Sequence, residues 1–136
     1  MVMVDDRLDE LLAAATAARA RAYAPYSGFS VGAALLDDEG RIHAGCNVEN
    51  AAYPQGQCAE ASAIGQMVLG GGRRLRAVVV TADALEPVTP CGGCRQRLRE
   101  FGAVDTPVIV AGPQGVRQRF TLGELLPASF GPEHLA

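Results

Sequence analysis

Two short cysteine-containing segments lie far apart in the sequence and must meet in space if they act together. The first is Cys58-Ala59-Glu60 and the second is Pro90-Cys91-Gly92-Gly93-Cys94. Three thiolates would leave a tetrahedral Zn²⁺ one open position, the pattern of a catalytic rather than a structural zinc. A glutamate close to one ligand can lie beside the open position and move protons there. The sequence therefore predicts one zinc ion per chain and Glu60 as its acid–base group.

Both cysteine segments fall where the sequence predicts the start of a helix. One helix is expected from Cys58 to about Leu69, and another from Cys91 to Phe101. Side chains in a first turn lean toward the helix N-terminus, where free N–H groups and the helix dipole favour thiolates. Cys91 and Cys94 share a helix face, whereas Cys58 and Glu60 can cooperate only within an opening turn. We therefore expect the metal to lie between two helix N-termini.

The remaining pattern predicts an α/β domain. A helix is expected over residues 5–22, ending before Pro25, and Thr121 should cap a last short helix. Between these helices, strands are predicted by segments in which apolar and polar residues alternate and by short runs of apolar residues. The predicted strands cover 31–37, 41–48, 76–81, 107–111 and 116–120. This order suggests helices packed on a mixed five-stranded sheet, in a single domain covering residues 1–136.

Charge and composition exclude several classes of function. The net charge of −3 argues against a protein that binds nucleic acid through a broad basic surface. No apolar run approaches the length of a membrane span, and Asp5 and Asp6 stand where a signal peptide would be basic. We therefore expect a cytoplasmic protein that acts on a small polar substrate, without a nucleic-acid or membrane partner.

The four cysteines leave other interpretations open. Cys46 could close a structural four-cysteine zinc site, although it lies on a predicted strand without the usual ligand spacing. The Cys91–Cys94 pair alone is also compatible with a thioredoxin-like redox motif, which would not explain Cys58-Ala59-Glu60. A zinc-stabilised binding module is a further alternative, but a structural zinc has no use for Glu60.

Three thiolates donate more negative charge to a metal than three imidazoles do. A positive or hydrogen-bonding group near the sulfur atoms should therefore be needed to keep zinc acidic enough to activate water. Arg95 follows Cys94 directly, and we predict that it plays this role.

Several motifs resemble those of one enzyme family over nearly the whole chain. They are Val31-Gly32-Ala33-Ala34, Gly45-Cys46-Asn47-Val48-Glu49-Asn50, Cys58-Ala59-Glu60 and Pro90-Cys91-Gly92-Gly93-Cys94-Arg95-Gln96. On these motifs the chain resembles the small, homotetrameric cytidine deaminases. The resemblance implies a three-layer α/β/α fold and hydrolytic deamination of cytidine and deoxycytidine to uridine and deoxyuridine, with release of ammonia, in pyrimidine salvage.

The resemblance also assigns site residues. It implies that Cys58, Cys91 and Cys94 bind zinc, that zinc hydroxide attacks C4, and that Glu60 shuttles protons between water, ring N3 and the leaving amine. It further implies shared active sites in a homotetramer, with Phe130 reaching a neighbouring subunit. The implied substrate-binding residues are Phe29, Asn47, Val48, Glu49, Asn50, Ala51, Ala52, Tyr53 and Phe130.

The residues themselves support part of this assignment. Asn47 and Glu49 project to one face of a strand and can bond vicinal hydroxyl groups, although Asn47 could equally bond its own backbone in a turn. Phe29 is compatible with either a base platform or a core position. The resemblance leads us to expect arginine after Glu60, where this chain has Ala61. Rival substrates are another aminopyrimidine, such as an aminonucleoside antibiotic, and a polynucleotide.

Overall fold

The computed structural model describes residues 4–136, and these are built around a five-stranded sheet in the order β2-β1-β3-β4-β5. The β3–β4 pair is parallel, whereas the β1–β2, β1–β3 and β4–β5 pairs are antiparallel. The sheet is therefore mixed, as predicted. Its strands are β1 (Val31–Asp37), β2 (Ile42–Cys46), β3 (Leu75–Ala82), β4 (Pro107–Gly112) and β5 (Gly115–Thr121).

Helices cover both faces of the sheet because its central strands are apolar on both sides. The helices are α1 (Leu8–Arg19), α2 (Ala59–Leu69), α3 (Gly92–Phe101) and α4 (Leu122–Leu125). On β1, Ala34 and Leu36 belong to the apolar cluster that contains α1 residues, whereas Ala33 and Leu35 belong to the cluster that contains residues of α2, α3 and α4. This alternation follows from the two-residue period of a strand. The predicted three-layer α/β/α architecture is confirmed.

Helix α2, which carries part of the cysteine site, packs very closely on β2. A Cβ atom at Gly45 would lie 2.4 Å from the backbone nitrogen of Ala63, so only glycine allows this approach. The close contact fixes the position of α2 against the sheet. No helix among residues 4–136 is long and apolar enough to cross a membrane.

The first helix is shorter than predicted. A 3-10 turn over Val4–Arg7 precedes α1, which ends at Arg19 instead of continuing to residue 22. The chain turns away because Tyr23 forms backbone hydrogen bonds with Asn47 and Glu49. At the other end of the domain, Thr121 caps α4 as predicted, with its hydroxyl accepting from the backbone amide of Glu124.

Candidate metal and substrate site

Three cysteine sulfurs converge at the N-termini of α2 and α3. Cys58 and Cys91 are the N-cap residues of these helices, and Cys94 lies in the first turn of α3. The three Sγ atoms lie within 4.8 Å of one another, with Cys58 and Cys91 3.9 Å apart. Zinc–thiolate bonds of about 2.3 Å in a tetrahedral arrangement place sulfurs about 3.8 Å apart. The three cysteines therefore fit a zinc ion.

Cys46 is not part of this cluster. It lies at the end of β2 and is a free, half-buried thiol, and the metal-ligating group found among residues 4–136 contains the other three cysteines alone. The cluster therefore has three protein ligands, which leaves the fourth position of a tetrahedral metal open to water or substrate.

The environment of the thiols favours a metal that replaces their protons. Burial raises the pKa of both Cys58 and Cys94, while the backbone amide of Cys94 lowers the pKa of Cys91. Thiols of raised pKa are protonated at neutral pH until a metal displaces the proton. Zinc binding at this site must therefore release protons and weaken as the pH falls.

Glu60 lies in the first turn of α2, next to the sulfur cluster. Its side chain is only 4% exposed, and this burial raises the pKa of its carboxyl group. The positive charge of Arg97 acts in the opposite direction on this pKa. A carboxyl with a raised pKa is a better proton acceptor than an exposed one, which suits a general acid–base group.

A cavity of about 290 Å³ opens onto Glu60 and two of the cysteines. Its walls also contain Phe29, Asn47 and Glu49, three of the predicted substrate-binding residues. Phe29 is 38% exposed, so it stands at the surface of the cavity rather than in the core. The structure thus brings an aromatic ring, an amide and two carboxylates around one space beside the sulfur cluster.

Asn47 and Glu49 also hold the loop that carries Phe29. The Asn47 side chain accepts from the backbone amide of Val31 and donates to the carbonyl of Phe29. Glu49 accepts from the backbone amides of Tyr26 and Ser27 and from the Ser27 hydroxyl, which lowers its carboxyl pKa. Asn47 therefore bonds the neighbouring loop instead of its own backbone, and both side chains keep the cavity wall in place.

The other predicted substrate-binding residues lie outside this cavity. Asn50 and Tyr53 line an adjoining pocket of about 340 Å³, and Val48 forms isolated bridges with Tyr23 and Gln57. The side chains of Ala51 and Ala52 are exposed. Phe130 lies near the chain's C-terminal end, stacked on His134 and 55% exposed. This chain's own cavity therefore does not use Phe130.

The prediction for Arg95 is wrong. Its guanidinium donates to the carbonyls of Pro90 and Leu125 and to the hydroxyl of Thr89, so it fastens the loop before α3. Arg97 approaches the sulfurs instead, with Nη1 3.7 Å from the Cys94 sulfur. Arg97 lies three residues after Cys94 and so on the same helix face, and this spacing is the feature of the sequence that could have predicted the contact. Ser27, Val31, Val80, Val88 and Thr89 are further cavity residues that the sequence reasoning did not identify.

Comparison with known proteins places this site in a family. A family model described as the cytidine and deoxycytidylate deaminase zinc-binding region matches residues 5–111. The chain is 43% identical over 129 residues to the cytidine deaminase of Sporosarcina psychrophila, covering 95% of each chain. It is also 45% identical over 121 residues to the cytidine deaminase of Mycobacterium tuberculosis, covering 89% of this chain and 87% of the relative.

Solved structures agree with the sequence comparison. The crystal structure of cytidine deaminase from Burkholderia pseudomallei superposes with a TM-score of 0.83 at 42% sequence identity, over 90% of this chain and 98% of that one. The region matched by the family model contains the three cysteines and Glu60, together with β1, β2, β3 and most of β4. The chain therefore belongs to the cytidine and deoxycytidylate deaminase family of zinc-binding proteins.

Proposed function

We propose that this protein is a zinc-dependent cytidine deaminase, which converts cytidine and deoxycytidine to uridine and deoxyuridine and releases ammonia. The observation that carries this proposal is the buried Glu60 carboxyl beside a three-thiolate metal site, on the wall of a cavity sized for a small molecule. Relatives at 43% and 45% identity are named cytidine deaminases, and their similarity extends over nearly the whole chain.

Cys58, Cys91 and Cys94 would hold the zinc ion. When bound, zinc supplies a Lewis acid that makes water nucleophilic at neutral pH. Glu60 accepts both protons of the attacking water in turn. It delivers one to ring N3, where the proton remains in uridine, and the other to the C4 amine, which leaves as ammonia. The raised pKa of Glu60 suits this role because each transfer needs a carboxyl that is easily protonated and deprotonated.

The remaining cavity residues would orient the nucleoside. The Phe29 ring offers a face on which a pyrimidine can stack, and Asn47 and Glu49 offer donors and acceptors to the sugar hydroxyls. Glu49, Asn50 and Tyr53 continue this wall into the adjoining pocket. A sugar-binding wall favours nucleosides over free cytosine.

The proposal is tested by following the ultraviolet absorbance of cytidine, deoxycytidine and cytosine with purified protein, with zinc quantified on the same sample. We expect both nucleoside signals to be lost, the cytosine signal to persist, and about one zinc per chain. Bound zinc without turnover of either nucleoside would contradict the proposal and favour another aminopyrimidine substrate.

We further propose that the protein is a homotetramer in which Phe130 completes a neighbour's cavity. An aromatic side chain that is 55% exposed would be better buried against a partner. The segment around Phe130 is held firmly on α3: Gln96 donates to the Phe130 carbonyl, and Arg99 bonds Ser129 and Glu133. These contacts hold the backbone on both sides of Phe130, and the exposed ring stacks on His134.

Replacing Phe130 with alanine should raise KM for cytidine about tenfold while leaving zinc bound, because stacking of a base on an aromatic ring contributes roughly 1–3 kcal/mol. Steady-state kinetics and zinc analysis measure both effects. Leu135→Ala is the matched control, since Leu135 is 81% exposed on the same tail. Equal KM values for the two variants would contradict the role of Phe130.

A mixing experiment separates a neighbour's contribution from an effect within one chain. Phe130→Ala subunits keep Glu60, and Glu60→Gln subunits keep Phe130, so mixed tetramers contain some complete sites only if the two residues come from different chains. We expect refolded mixtures to recover the low KM, with native mass spectrometry reporting the tetramer. Absence of recovery in mixed tetramers would place both residues in the same chain's site.

We propose that residues 1–136 act as a single zinc deaminase domain in the cytoplasm. Support for one domain comes from the two apolar clusters that cover opposite faces of the same sheet. Support for a reducing compartment comes from the four cysteines, all of which are free.

A further inference from the structure

Arg97 directs its guanidinium toward the sulfur cluster from the exposed side of α3. Its Nη1 atom lies 3.7 Å from the Cys94 sulfur, within hydrogen-bond distance for sulfur. A Cβ atom at Gly93 would lie 3.3 Å from the same nitrogen, so the absence of a side chain there leaves room for the guanidinium. The contact therefore depends on the glycine at position 93 as well as on the length of the Arg97 side chain.

The other two arginines of α3 are committed elsewhere. Arg95 fastens the loop before the helix, and Arg99 holds the C-terminal segment. Arg97 forms no ion pair among residues 4–136, and it reaches the sulfur with its only side-chain hydrogen bond there. Its positive charge is therefore available to the cysteine site.

Ala61 and Arg97 line the same open groove between α2 and α3, of about 700 Å³. Ala61 follows Glu60 on α2 and presents only a methyl group to this groove. A cation supplied from α3 therefore reaches the sulfur cluster without competition from the residue at position 61.

The positive charge of Arg97 can offset the negative charge of the zinc-loaded thiolates. Three thiolates and one Zn²⁺ carry a net charge of −1, and an ionised Glu60 makes the site −2. Replacing three thiol protons with one divalent ion makes the site one unit more negative than when it is empty and protonated. A neighbouring positive charge therefore favours the loaded form, and a hydrogen bond to a ligating sulfur withdraws electron density from it.

We propose that Arg97 is a positioning residue of the metal site, which acts through the Cys94 sulfur to offset the negative charge of the zinc-loaded thiolates. This inference rests on the zinc-dependent function proposed above. It assigns to Arg97 the charge-balancing role that the sequence had suggested for Arg95.

The test is zinc affinity, measured by competition with a chromogenic chelator at fixed pH. Arg97→Gln should bind zinc about tenfold more weakly, the lower end of the effect of removing a partner of a metal ligand. Arg97→Lys should recover much of the affinity, because it keeps the charge. A double variant, Arg97→Gln with Ala61→Arg, should also recover affinity, since it supplies the charge from the other side of the groove. Arg119→Gln on β5 is the control for net charge.

A second readout follows the sulfur atoms directly. With Co²⁺ replacing zinc, the thiolate-to-cobalt charge-transfer band should move to longer wavelength in Arg97→Gln, because loss of the cation raises the energy of the sulfur electrons. Affinity within twofold of the native protein, together with an unchanged cobalt spectrum, would overturn the proposal. Neither measurement needs turnover, whereas deamination by the unmodified protein tests the function itself, so each can fail alone.

Discussion

Glu60→Gln is expected to keep zinc bound and to lower kcat for cytidine by about 10³-fold, within the usual contribution of a general acid–base group. Glutamine matches the size of glutamate and keeps a hydrogen-bonding side chain, but it cannot carry a proton from water to the ring and then to the leaving amine. The measurement is steady-state kinetics on samples whose zinc content has been determined. Normal turnover by this variant would remove Glu60 from the mechanism.

A matched control and a stability measurement separate chemistry from folding. Glu39→Gln changes an exposed glutamate at the β1–β2 turn and should leave kcat unchanged. Burial raises the carboxyl pKa of Glu60 in the folded protein, so its ionised form opposes folding. Metal-free Glu60→Gln should therefore be more stable than the native protein at neutral pH. This advantage should vanish below the unfolded-state pKa of about 4.3 and grow as the pH rises through the folded-state pKa.

The convergence of the three cysteines could be predicted because each feature is local. Cys58 and Cys91 precede helical periodicity, and Cys94 follows Cys91 at a spacing that keeps both on one side of α3. Once both helices pack on the same face of the sheet, their N-termini are brought together. The helix starts are visible in the sequence, whereas the strand order β2-β1-β3-β4-β5 that places both helices side by side is known from the structure.

The identity of the charge-balancing arginine could not be predicted. Arg95 and Arg97 both lie close to Cys94 along α3, and the sequence does not show which partners each will find. Arg95 donates a hydrogen bond to the carbonyl of Leu125, a residue that is distant in the sequence. Arg97 is left facing the sulfur cluster. Contacts with residues distant in the sequence therefore determine which of the two arginines faces the sulfur atoms.

The burial of Asp37, the last residue of β1, is a second feature that could not be predicted from the sequence. The sequence places Asp37 at the end of the predicted strand 31–37, before the polar residues Asp38-Glu39-Gly40, and both the strand and the following turn are present. Yet Asp37 has 0% exposure, and its carboxylate accepts from Arg41 Nε at 3.0 Å and bonds His43 Nε2 at 2.8 Å. It also accepts from the backbone amides of Glu39 and Arg41. A buried charge with four partners is invisible to a pattern based on hydrophobicity.

Asp37→Ala is expected to lower the free energy of unfolding by about 1–3 kcal/mol, because it leaves Arg41, His43 and two backbone amides without their common partner. Asp38→Ala, at the exposed neighbouring position, should change it by less than about 0.5 kcal/mol. Denaturant unfolding of the metal-free proteins at neutral pH measures both. Equal stabilities would mean that the buried carboxylate contributes nothing beyond an ordinary turn residue.

The pH dependence of the stability lost in Asp37→Ala tests whether the charge of the Asp37 carboxylate is its source. Burial by itself raises the carboxyl pKa of Asp37, but the hydrogen bonds from His43, Arg41 and Glu39 outweigh it and the pKa is lowered. A carboxyl of lowered folded-state pKa stabilises the protein above its unfolded pKa of about 3.9 and loses that contribution as the pH falls through the folded value. The gap between native protein and Asp37→Ala should therefore be largest near neutrality and shrink below about pH 4. A gap that stays constant across this range would assign the loss to packing instead.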